Sequence, residues 1–123
     1  MTIAIDVAAV EQSSTRVLLQ VSGPVDAYTC APLRQALLGA VGYREVIVDL
    51  SRVTHFSAAG VHALEAAEQS LAERGGLLRL VTARAGSVGI VLRALDMQDR
   101  WPVQPGNRFR DDRPRIPEQR RGR

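Results

Sequence analysis

Lysine is absent from this chain of 123 residues, whose sixteen basic residues are all arginine. That bias reads as the mark of a GC-rich genome and says nothing of function. Cys30 is the only cysteine, so no disulfide can form within the chain. One thiol and two scattered histidines, His55 and His62, are also too few for a structural zinc site. No apolar run approaches the roughly 18 residues that a transmembrane helix needs. The opening residues have neither the positive segment nor the apolar stretch of a signal peptide. The expected setting is therefore the cytoplasm, without membrane insertion. A Ser/His/Asp order, a phosphate-cradling glycine loop and paired carboxylates are all missing. We expect no catalytic residue, no metal and no cofactor.

What is present suits one domain. A hydrophobic fraction of 46% is enough to fill a core, and a domain of this size buries roughly two-thirds of the surface its unfolded chain exposes. The net charge of +3 is unevenly placed. Residues 1–103 carry nine Arg against ten acids, and residues 104–123 seven Arg against three. The basic excess thus sits in a tail broken by Pro105, Pro114 and Pro117, with few apolar residues beyond Phe109 and Ile116. Such a segment buries too little to offset its ordering entropy, so we expect it to be disordered. Residues 1–103 form the expected domain. It shows no basic stripe, so direct nucleic-acid binding is not expected.

Residues 2–10 are apolar and partly alternating, as in an edge strand. Residues 16–22 read as a second strand that stops at Gly23-Pro24. Leu33, Ala36, Leu37 and Ala40 fall on one face of a helix over residues 29–41, with Pro32 tolerated in the first turn. Residues 46–50 (VIVDL) suit a central strand covered on both faces. A second helix is predicted over residues 58–74, with Val61, Leu64, Ala67 or Glu68, and Leu71 inward, and Gly75-Gly76 ending it. A strand over residues 77–82 and a helix over residues 85–95 follow, and Val103 would close the domain with a short strand or turn. The order β-β-α-β-α-β-α(-β) predicts an α/β domain, a mixed sheet of four to five strands flanked by helices.

Three stretches resemble a known family. Val21-Ser-Gly-Pro-Val-Asp26 is similar to the G-x-L-D turn of STAS domains. The run from Val46 to Leu64 resembles their strand–loop–helix pattern V-x-D-L-S-x-V-x-x-x-D-S-S/A-G-x-x-x-L. Arg74-Gly-Gly-Leu-Leu-Arg-Leu-Val81 is similar to their R-G-G-x-L-x-L segment. On these residues the chain resembles the anti-sigma factor antagonists within that family. The resemblance implies a non-enzymatic interaction switch that binds an anti-sigma factor kinase, a histidine-kinase-like ATPase. It places the partner-binding residues at Asp26, Ser57, Ala58, Ala59, Gly60 and Val61.

One departure stands out. The antagonists carry an Asp and then one or two hydroxyl residues, one of them phosphorylated, at the start of the second helix. Aligned on Gly60, this chain has Ser57 at the Asp position and Ala58-Ala59 at the hydroxyl positions, so the usual acceptor is missing. Ser57 then has two readings, a helix N-cap or a displaced phosphoacceptor. Gly60 relieves crowding or admits a partner's backbone. Asp26 is a turn residue or a contact. Asp49, inside an apolar strand, needs donors nearby. Two other functions stay open. One is a STAS adaptor subunit of another assembly, such as a lipid-transport ABC system or a sensor complex. The other is a small-ligand or nucleotide-binding module at the second helix's start.

Overall fold

The computed structural model describes residues 5–82, 86–94 and 103–105. Its elements run β1 (Asp6–Glu11), β2 (Arg16–Val25), α1 (Ala31–Ala40), β3 (Glu45–Phe56), α2 (Ala58–Glu73), β4 (Leu77–Thr82), α3 (Ser87–Ala94) and β5 (Val103–Pro105). They form a five-stranded mixed sheet in the order β1-β2-β3-β4-β5. Only the β1/β2 pair is antiparallel. The α/β architecture read from the sequence is therefore the observed one. Of the tail expected to be disordered, Gln104 and Pro105 lie in β5, paired with Val81 and Thr82; the rest of that expectation falls on residues outside those described.

The strand order steps one way across the sheet, and each parallel step crosses over through a helix. With right-handed crossovers, that puts all three helices on one face. A single buried cluster confirms the placement, joining Val17, Leu19, Val46, Val48, Leu78 and Leu80 to Leu33, Leu37, Val61, Leu64, Leu71, Val88 and Leu92. On α2 the inward choice between Ala67 and Glu68 falls to Ala67. Leu18, Ile47 and Val81 point the other way and make a second cluster contributed by strands alone. Among the described residues the central strand is thus not sandwiched between helices, as its β-branched run had suggested. Beside this second cluster Glu45 Oε1 accepts from Arg16 Nε at 2.9 Å and Oε2 from Arg79 Nη1 at 2.8 Å. Burial raises the Glu45 pKa, but hydrogen bonds from Arg79 and Arg16 outweigh it and leave the group below its ordinary value.

Two boundaries differ from the sequence reading, and both matter for the site. β2 continues through Gly23-Pro24 to Val25, and β3 continues through Ser51 to Phe56. The extensions pair with each other: Ser22 with Arg52, Gly23 with Val53, Pro24 with His55 and Val25 with Phe56. Two register shifts let β3 carry the extra residues, and Gly23 takes φ 93° beside one of them. Cross-strand pairing has overridden the local turn signal of Gly-Pro. α2 ends as the sequence indicated. Gly75 adopts φ 75°, its N–H reaches Ala72 O at 3.1 Å, and the Gly76 N–H reaches Leu71 O at 2.7 Å. That pair of bonds is a Schellman cap.

Candidate functional site

The paired extensions of β2 and β3 end together, and this brings Asp26 and Ser57 side by side. The Ser57 N–H donates to Val25 O at 2.9 Å, tying the entry of α2 to the exit of β2. Two segments remote in sequence thereby share one end of the sheet: the β2–α1 turn and the first turn of α2.

Asp26 locks the β2–α1 turn. Its Oδ1 accepts from the Tyr28 N–H at 2.8 Å, the Thr29 N–H at 3.0 Å and the Thr29 hydroxyl at 3.2 Å. Thr29 Oγ1 also accepts from the Asp26 N–H at 3.0 Å and lies 2.8 Å from Pro24 O. This is an Asx turn closed reciprocally by a threonine. The backbone donor of Tyr28 is the largest influence holding the Asp26 carboxyl below its ordinary pKa; slight desolvation opposes it, and Thr29 and His55 reinforce it. Tyr28 itself, 96% exposed, stands out from this fixed turn.

A carboxylate with a depressed pKa binds its proton only at lower pH than in the unfolded chain. Its contribution is complete above the ordinary aspartate value, about 3.9, and is lost as pH falls through the lower folded value. A carbon-13 titration of the Asp26 carboxyl should thus give a midpoint below that value. Thr29→Val should move the midpoint upward by removing one donor. A wild-type midpoint at or above about 3.9 would mean that the turn does not bond the carboxylate in solution.

Ser57 takes extended backbone, φ −110° and ψ 178°, and its hydroxyl accepts from the Ala59 N–H at 3.3 Å. It is the N-cap of α2, which matches the simpler of its two readings. Of the residues after it, Ala58 is exposed and Ala59 is half-buried, while Gly60 and Val61 are buried. A Cβ on Gly60 would lie 2.5 Å from Phe56 Cε1 and 2.7 Å from Cζ. Gly60 therefore relieves crowding against the core, and it presents no backbone for a partner to approach. The outward surface is made by Tyr28, Ala58 and the exposed His55, with Asp26 and Ser57 half-buried behind them.

The remaining candidates lie apart from this surface or inside it. Cys30, the N-cap of α1, is fully buried, and its Sγ sits 3.6 Å from Ala59 O. Burial pushes its thiol pKa up against the opposing influence of Arg34, so it is a packing residue and not a nucleophile. Asp49 Oδ1 accepts from the Ser51 N–H at 3.0 Å and lies 2.6 Å from Ser51 Oγ, the local satisfaction expected of it. Among the described residues no three of His, Cys, Asp and Glu converge to hold a metal ion. No described helix is long and apolar enough to cross a membrane.

Sequence reasoning missed Tyr28 and Phe56. For the first a signal existed: Asp26 and Thr29 stand at the spacing of a closed turn, which forces the residue between them outward. For the second there was none, since the contact needs β3 to run on to Phe56.

Comparison with known proteins agrees with this fold. The family model for the STAS domain matches residues 6–105. An anti-sigma factor antagonist from Mycobacterium paratuberculosis superposes with a TM-score of 0.70 at 21% identity, covering 82% of this chain and 86% of that one. The unphosphorylated anti-sigma factor antagonist SpoIIAA gives 0.71 at 14% identity, over 86% of this chain and 94% of its own. The phosphorylated SpoIIAA, a Bacillus cell fate determinant, gives 0.65 at 13% identity, over 86% and 97%. At such identities these likenesses speak for the fold. No curated protein matches the sequence.

Proposed function

The chain belongs to the STAS domain family, and from that premise we propose that it is a non-enzymatic interaction switch of the anti-sigma factor antagonist kind. Its partner is an anti-sigma factor of the histidine-kinase-like ATPase type, bound in the cytoplasm. Phosphorylation at the family position plays no part. The observation that carries this reading is the joining of the Asp26–Thr29 turn to the start of α2 in one exposed surface. At the two positions where the family carries hydroxyls, this surface offers the methyl groups of Ala58 and Ala59. Neither can accept a phosphoryl group. SpoIIAA exists in phosphorylated and unphosphorylated forms; this chain has no hydroxyl to phosphorylate at those two positions.

The hydrogen bonding of Ser57 also disfavours it as a substitute acceptor. Its oxygen caps α2, an interaction contributing about 0.5–2 kcal/mol, and a kinase would have to break that bond. A constitutive adaptor in another assembly is the second reading, and the same pair of alanines favours it, since an adaptor needs no acceptor. Mixing the chain with each histidine-kinase-like anti-sigma factor of its own genome, and measuring heat of binding, separates the two. Binding of one of them, with the intact mass unchanged after incubation with ATP, is expected. Failure of all of them to bind would favour the adaptor. A gain of one phosphate on Ser57 would overturn the independence from phosphorylation.

A further inference from the structure

α1 and α2 both return from parallel strands across the same face of the sheet, so they run parallel to each other. Their outer flanks do not meet. Between them lies a groove of about 310 Å³, within the range of about 300–1,000 Å³ usual for small-molecule sites. Leu37, Leu38 and Val41 form its α1 wall; Ala59, Ala63 and Ala66 keep the α2 wall low. Leu38 is 69% exposed here, an apolar side chain on the groove's rim that the fold leaves uncovered.

The polar residues of the groove are not spread evenly along it. Arg34 on α1 and His62 on α2 both lie toward the helices' N-terminal ends, and among the described residues no Asp or Glu lines the groove. The Arg34 guanidinium is a planar fork of N–H donors that matches a carboxylate, and the imidazole of His62 offers an N–H donor. From that end the apolar channel runs to Val41 and Ser70. At 1.5 Å per residue the helical walls extend about 10 Å along α1 and about 16 Å along α2. The cavity is thus cationic toward one end, mainly apolar beyond it with Ser70 at the far end, and sized for a slender chain.

We propose that this groove binds a single-chain carboxylate amphiphile, with the carboxylate on Arg34 and His62 and the alkyl chain along Leu37, Leu38, Ala63 and Ala66. The charge pattern selects the occupant. A neutral head would gain nothing from the Arg34 charge, and a cationic head would be repelled by it. The groove shares Ala59 with the proposed partner surface, but Arg34, Leu38, His62 and Ala66 lie outside that surface, so the site does not depend on the interaction-switch reading.

Dodecanoate, below its micelle concentration, is the probe, titrated into the full nitrogen-15-labelled chain. Saturable shifts should appear at the amides of residues 34–41 and 59–70. Arg34→Gln should weaken binding at least tenfold, and Ala66→Trp should block the channel. Dodecyltrimethylammonium, with the same chain and the opposite charge, should leave those amides unmoved. Arg34→Gln changes an exposed side chain, so the charge test stands even if the tryptophan disturbs packing. Equal binding of both amphiphiles, or undiminished binding by Arg34→Gln, would overturn the carboxylate assignment. Dodecanoate that does not move the groove amides would overturn the site altogether.

Discussion

Gly60→Ala should destabilise the domain by about 2 kcal/mol, although alanine is the better helix former by about 1 kcal/mol. The new methyl would fall 2.5 Å from Phe56 Cε1, 2.7 Å from Cζ and 3.0 Å from Cδ1. All three atoms belong to one ring edge, and the ring is only 2% exposed. The ring is a rigid plate at the end of β3 and must move as a unit into neighbours that are already packed. Overpacking of this kind costs about 1–3 kcal/mol, and three contacts this close place the cost at the upper end. Propensity recovers part of it. A fall of roughly 10 °C in Tm is then expected for a domain of this size. Phe56→Ala alone should cost about 3–5 kcal/mol, as removal of a buried ring does. The decisive measurement is the double substitution: with Phe56→Leu in place, Gly60→Ala should cost nothing or should stabilise. Wild-type stability of Gly60→Ala would show that the ring does not cover α2's first turn. Gly60→Trp should not fold, so it cannot serve to probe binding.

This contact also shows what the sequence could and could not disclose. The helical faces were legible because burial at a period of 3.6 needs no partner to be known: Leu33, Leu37 and Ala40, and Val61, Leu64 and Leu71, are all buried. The end of α2 was legible because its two glycines leave few other backbone choices. The extension of β3 was not. Ser51, Arg52, Thr54 and His55 read as loop, and they become strand only because the matching end of β2 pairs with them. The site inherits that limit. The family resemblance grouped Asp26 with Ser57, but what sets them side by side is the Val25–Phe56 pairing, which neither segment encodes alone. Gly60 and Val61 belonged to the expected partner surface by position along the chain. Both are buried: Val61 lies on the helical face that the spacing had already turned inward, and Gly60 packs against the Phe56 ring.

The partner surface should respond most to Tyr28 and Ala58. Tyr28→Ala should weaken binding of the anti-sigma partner at least tenfold, about 1.4 kcal/mol, without changing thermal stability. The side chain is almost wholly exposed and its turn is held by Asp26 and Thr29, so the isolated domain loses no packing with it. Tyrosine is among the residues that most often dominate an interface, because its ring covers a large area and has only two side-chain torsions to immobilise. Ala58→Glu should weaken binding by at least as much. At the first position of α2 a carboxylate meets unpaired N–H groups and the positive end of the helix dipole, so the fold tolerates it. A docked partner would have to desolvate that charge or face it unpaired. Gln69→Glu, also exposed but in the second half of the same helix, supplies the control. It adds the same charge and should leave affinity unchanged. Calorimetric titration of the three variants against the wild type separates the outcomes. If Ala58→Glu binds as well as Gln69→Glu does, the interface lies elsewhere on the domain.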